Sequence, residues 1–89
     1  MQKSVLLTIS GRVQNVGFRY FSKSLAERMG VKGFVKNLAN GKVYIEAEAD
    51  EEIVAIFIES IKSGPKHAHV SEVQIQDSPI QNFTCFERR

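Results

Sequence analysis

Residues 4–29 read SVLLTISGRVQNVGFRYFSKSLAERM, and the hydrophobic period changes inside that stretch. From Ser4 to Ser10, Val5, Leu7 and Ile9 alternate with Leu6, Thr8 and Ser10, the period of two expected of a strand with one firmly buried face. From Phe18 onward, Phe18, Phe21, Ser22, Leu25 and Met29 recur at helical spacing and give one apolar stripe. Gly30 follows as a left-handed stop. A strand therefore hands over to a helix through a short loop, GRVQNVGFR at residues 11–19, whose last residue is an arginine.

Outward from that unit the same reading continues. Val31 to Leu38 is a second strand, and Asn40-Gly41 is a hairpin signal because both residue types tolerate positive φ. Lys42 to Ala49 is a third strand, with Val43, Ile45, Ala47 and Ala49 on one face and Tyr44, Glu46 and Glu48 on the other. Asp50 is placed to cap a second helix, and Glu51 and Glu52 suit its first turn. Ile53, Val54, Phe57, Ile58 and Ile61 form that helix's inner side, and Gly64-Pro65 ends it. Val70 to Gln76 is a fourth strand, and after Pro79 the segment Phe83 to Glu87 suggests an added edge strand. The order β-α-β-β-α-β with a short tail predicts an α+β, ferredoxin-like split β-α-β sandwich, with a mostly antiparallel sheet and two helices on one face.

Composition sets bounds on function. With 89 residues the chain is expected to be one domain, residues 1–89, below the usual mode of about 100–150 residues. It has no internal repeat or low-complexity tract. Hydrophobic residues at 43% and charged residues at 25% are those of a soluble globular domain. A net charge of +2 falls short of the concentrated positive field of a nucleic-acid binder. Cys85 is the only cysteine, so no internal disulfide forms and no zinc site is built on cysteines. Val5 to Ile9 is too short to span a membrane and lacks a cleavage pattern. A cytoplasmic monomer is the expectation.

Two features bear on chemistry. The first turn of a helix points free N–H groups outward and carries partial positive charge, so an anion fits there. The backbone N–H groups of Gln14, Asn15, Val16, Gly17, Phe18 and Arg19 are the candidate cradle, and the Arg19 guanidinium is placed to grip two phosphate oxygens. A tight turn with a solvated arginine fits the same residues. Asn37 sits in a good strand although asparagine is disfavoured there, and shares the face of Gly33 and Val35. It fits equally as the start of the turn into Asn40-Gly41.

Taken together, Ile9-Ser10-Gly11-Arg12-Val13-Gln14-Asn15-Val16-Gly17-Phe18-Arg19 and Gly33-Phe34-Val35-Lys36-Asn37, with Gly41 and Val43 following, resemble the two signature regions of the acylphosphatase family. The resemblance implies an acylphosphatase, an acylphosphate phosphohydrolase that converts carboxyl-phosphate anhydrides to carboxylate and inorganic phosphate. It implies that Arg19 and the loop amides bind the phosphoryl group, that Asn37 positions the attacking water, and that neither a metal nor another cofactor is used. Such chemistry leans on positioning and electrostatics, since the transition state spreads charge over the equatorial oxygens. The family pattern has glycine where this chain has Asn15 and Ala49. Asparagine is the non-glycine residue that best tolerates left-handed backbone, so Asn15 can keep the loop's shape while bringing a side chain to its entrance.

Other readings of the same fold make different demands. An RNA-binding domain would stack bases on aromatic residues of strands 1 and 3, but strand 1 has none, and on strand 3 the lone Tyr44 is followed on the same face by Glu46 and Glu48. A catalytically weak phosphate- or anion-binding module would keep the loop and lose turnover through Asn15. An interaction module would use Phe34 and Tyr44 as an exposed patch. His67 and His69 are expected to be surface polar residues.

Overall fold

The period change at residues 4–29 is realised as β1 (Gln2–Arg12) followed by α1 (Phe18–Met29). The computed structural model describes residues 1–89, and the chain continues through β2 (Lys32–Asn37), β3 (Val43–Asp50), α2 (Glu51–Ser63), β4 (His69–Ser78) and β5 (Phe86–Arg88). The sheet order is β4-β1-β3-β2-β5. Every pairing is antiparallel except β2 with β5, which is parallel. This is the ferredoxin-like α+β arrangement. No helix is long and apolar enough to cross a membrane.

Register explains how the site is assembled. Val5, Leu7 and Ile9 lie opposite Ala47, Ile45 and Val43, all fully buried. Phe18 and Ala26 of α1 and Val54, Phe57 and Ile61 of α2 join these strand residues in one core, so both helices cover the same sheet face. Because β1 and β2 each run antiparallel to β3, they run parallel to one another and finish at the same rim. Val43 pairs with Ile9 on one side and Asn37 on the other. Two strand spacings of about 4.8 Å therefore separate Ile9 of β1 from Asn37. A bulge between Ser10 and Gly11 shifts the β1–β4 register just before the loop, a common way of re-aiming a strand.

The hairpin between β2 and β3 differs from its sequence signal. Only Gly41 has positive φ, at 88°. Leu38 and Lys42 close a three-residue loop through the Leu38 N–H, which donates to the Lys42 carbonyl at 2.8 Å. A two-residue turn would have needed positive φ at Asn40 as well. Instead the Asn40 side chain accepts from the Lys42 N–H at 3.1 Å, so its contribution is a local hydrogen bond.

Residues 79–85 cross the sheet face opposite the helices to carry the chain from β4 to β5. That segment has no strand partner for its buried amides, which must find acceptors elsewhere. Glu48, 4% exposed, supplies both: the N–H of Gln81 donates to Oε2 at 2.6 Å and the N–H of Phe83 to Oε1 at 3.1 Å. Phe83 packs edge-on against Phe34 at 6.1 Å, and the Arg89 guanidinium sits 3.9 Å above the Phe34 ring. Phe34 is consequently only 6% exposed. The exposed Phe34–Tyr44 patch expected of an interaction module does not exist. The sequence gives no sign of that covering segment because its contacts are long-range.

Two consequences can be measured. Gly33 has φ +140°, and a Cβ there would lie 1.8 Å from the Glu46 carbonyl oxygen, an atom fixed by the β2–β3 pairing. Gly33→Ala is expected to cost about 3 kcal/mol or more, lowering the melting temperature by at least about 12 °C. An unchanged melting curve would contradict the close approach. Tyr44 donates its hydroxyl to Glu46 Oε2 at 2.7 Å. Burial first, then that hydrogen bond and the carboxylate's charge, push the phenol from 10.0 up to about 12. A raised folded-state value means its stabilising contribution is complete below pH 10.0 and is lost as pH rises toward about 12. Denaturation midpoints followed across that window should fall for the parent chain and flatten in Tyr44→Phe.

Candidate active site

At the shared rim a cavity of about 110 Å³ opens between the β1–α1 loop, the first turn of α1 and the strand ends. Asn15 and Gly17 line it from the loop, Arg19 from the helix, Asn37 from β2 and Arg88 from β5. Buried Val13 and Phe18 tie this lining to the core. Exposed Tyr20 also borders the cavity. The volume is well below the roughly 300–1,000 Å³ of drug-sized ligand sites and suits a group about the size of a phosphoryl.

The two helix starts are built differently, and the contrast is chemical. Asp50 caps α2, its carboxylate accepting from the Glu52 N–H at 3.2 Å, and Glu51 and Glu52 add negative charge to the first turn. The start of α1 has no side-chain cap and no acidic residue. Its N-cap residue, Gly17, is left-handed at φ 79°. None of the backbone N–H groups from Gln14 to Arg19 donates to a backbone carbonyl, and no side chain accepts from them. Arg19 adds a full positive charge to the positive end of the dipole, which costs helix stability unless an anion is nearby. Free amides, an uncapped dipole and a guanidinium together form an electropositive pocket.

Asn15 has φ 62°, so position 15 does require left-handed backbone. The loop keeps its path with asparagine because that residue tolerates the region. Asn15→Gly is expected to keep or raise turnover, since it removes a side chain from the cavity wall without changing the backbone requirement. A large drop in kcat would instead assign the Asn15 amide a part in the chemistry.

Arg19 donates from Nη1 to the Arg89 carbonyl at 3.0 Å, leaving its other donors available. Asn37 is half-buried, and no hydrogen bond within the protein engages its side-chain amide. Gln14 has a different place. Its Nε2 donates to the carbonyls of Leu38 at 2.7 Å and Lys42 at 2.9 Å, bracing the loop against the hairpin that follows Asn37. The Gln14 side chain thus fixes the spacing between loop and Asn37. Neither Gln14 nor Val16 lines the cavity, and Val16 packs against the core. His67 and His69 are exposed and lie outside the cavity.

Arg88, Tyr20 and the bracing role of Gln14 carry no local signal in the sequence. Arg88 reaches the rim only because β5 pairs in parallel with β2, placing Arg88 opposite Val35. The loop pattern points to the Gln14 N–H alone, whereas its side-chain partners lie 24 and 28 residues away.

Comparison with known proteins gives a consistent result. A family model described as Acylphosphatase matches residues 5–88. The chain is 46% identical over 79 residues to a protein named Acylphosphatase from Archaeoglobus fulgidus, covering 89% of each chain. It is 45% identical over 85 residues to one of the same name from Pseudothermotoga lettingae, covering 96% of each. The crystal structure of acylphosphatase from Bacillus subtilis superposes with a TM-score of 0.95 at 32% identity, covering 100% of this chain and 99% of that one.

Proposed function

Because the chain belongs to the acylphosphatase family, we propose that it hydrolyses acyl phosphates in the cavity at the start of α1. In this assignment Arg19 and the amides from Gln14 to Arg19 hold the phosphoryl group, and Asn37 positions the water. The activity is that of an acylphosphatase: the substrate is a small acyl phosphate, and the products are a carboxylate and inorganic phosphate. The observation that supports the residue assignment is the convergence, in one phosphoryl-sized cavity, of Arg19, Asn37 and an uncapped helix start whose amides have no acceptor in the protein.

The chemistry follows from those groups. Water oxygen attacks phosphorus in line with the bond to the acyl oxygen. That bond breaks, its electron pair leaves on the carboxylate, and the water protons end on phosphate, so a dianionic anhydride and water give carboxylate and dihydrogen phosphate. A carboxylate is a good leaving group and requires no acid from the protein. The amides and Arg19 are fixed before reaction and stabilise charge on the equatorial oxygens. Asn37 orients water through its amide oxygen or N–H without acting as a base. The reading uses no metal, and a chelator tests that directly. The same reading has the chain acting as a cytoplasmic monomer.

The deciding assay is phosphate release from acetyl phosphate or benzoyl phosphate by the full chain in the presence of EDTA. Turnover well above the buffer rate is expected. Release no faster than buffer would leave only an anion-binding module, and turnover abolished by EDTA alone would overturn the metal-free site.

A further inference from the structure

We propose that Arg88 selects for acyl phosphates that carry a second anionic group, a carboxylate, on the acyl portion. The inference rests on the cavity described above being the phosphoryl site, and it adds the chemical class of the acyl end.

The position of Arg88 follows from strand geometry. Side chains alternate along β5. Phe86 is buried against Phe57 on the helix side, with ring centroids 6.3 Å apart. Glu87 lies opposite Phe34 in the register and points away from the helices. Arg88, two residues after Phe86, returns to the helix side and borders the cavity beside the start of α1.

Its charge has no partner. Glu87, the acidic neighbour in sequence, is held by Arg89, which donates to Oε1 from Nε at 3.0 Å and from Nη2 at 2.7 Å. Arg88 takes part in no ion pair, and no Asp or Glu side chain lines the cavity. Two guanidiniums, Arg19 and Arg88, therefore border one small space with no Asp or Glu side chain in its lining. Such an arrangement is unfavourable until anionic ligand groups arrive.

The phosphoryl group does not need both. Its oxygens are provided for by the loop amides and Arg19, and a cavity of about 110 Å³ has little room beyond it. The acyl portion then lies outside, along the edge where exposed Arg88 projects. A neutral acyl chain offers that guanidinium nothing, whereas a carboxylate offers a charge-assisted, bidentate hydrogen-bonding partner.

The test compares benzoyl phosphate with its 3- and 4-carboxy derivatives, in which a rigid ring prevents the carboxylate from attacking its own anhydride. With spontaneous hydrolysis subtracted, wild-type kcat/KM is expected to be about tenfold higher for at least one carboxylated isomer, near the low end for a hydrogen bond to a charged group. Added salt should shrink that ratio. Arg88→Gln should bring it to about one, and Arg88→Lys should restore part of it. A wild-type ratio near one, or a ratio unchanged by Arg88→Gln, overturns the inference while benzoyl phosphate turnover keeps the active-site reading intact. Equal loss on all three substrates in Arg88→Gln would assign Arg88 to the phosphoryl group and likewise overturns it. No turnover of any of them by the wild type brings down both readings.

Discussion

Arg19→Ala is expected to lower kcat/KM by about a thousandfold, the scale set by removal of a preorganised cation from phosphoryl transfer. Inorganic phosphate should become a much weaker competitive inhibitor in the same variant, because the guanidinium serves ground state and transition state alike. The fold should be little affected. Arg19 is exposed, and its one hydrogen bond, to the Arg89 carbonyl, is offset by relief of a positive charge at the positive end of α1, worth about 0.3–1 kcal/mol. A melting temperature within a few degrees of wild type, together with lost phosphate inhibition, would separate a binding defect from unfolding. Retained phosphate inhibition would remove Arg19 from the cradle.

Asn37→Ala should give a different signature. We expect kcat to fall by about a hundredfold or more, the scale of a mispositioned reactant, while the inhibition constant for phosphate changes little. The Asn37 side chain makes no hydrogen bond within the protein, so its truncation breaks no network. Its backbone pairing with Val43 survives any side chain. Single-turnover kinetics and phosphate inhibition measured side by side would show the split. If both variants lost phosphate affinity equally, the separate roles of cation and water-positioning amide would be wrong.

Much of this architecture is legible in the sequence because it is local. The alternation in Val5, Leu7 and Ile9, the helical stripe from Phe18 to Met29 and the capping of α2 by Asp50 all concern residues a few positions apart. The loop's anion-binding character is legible for the same reason, since a glycine–asparagine loop feeding an uncapped helix is a property of consecutive residues. The role of Asn37 needed more. Its face follows from counting along β2, but its nearness to the loop depends on β3 being inserted between β1 and β2, and the family resemblance is what pointed to it.

Residues whose surroundings come from distant parts of the chain carry no such local signal. Phe34 has the pattern of an exposed aromatic residue, yet the crossing segment and Arg89 bury it. Glu46 and Glu48 argue against a nucleic-acid surface, and that much is compositional. That Glu48 would instead receive two backbone N–H groups from residues 81 and 83 depends on where the chain goes after β4. By itself, then, the sequence determined the order of elements, the buried faces and an electropositive strand-to-helix loop, because periodicity, capping and turn chemistry act between near neighbours. Only the tertiary structure decided that Asn37, the Gln14 brace and Arg88 meet at that loop. Segments whose residues are 24 to 70 positions apart come together through sheet register, and no local pattern encodes that pairing.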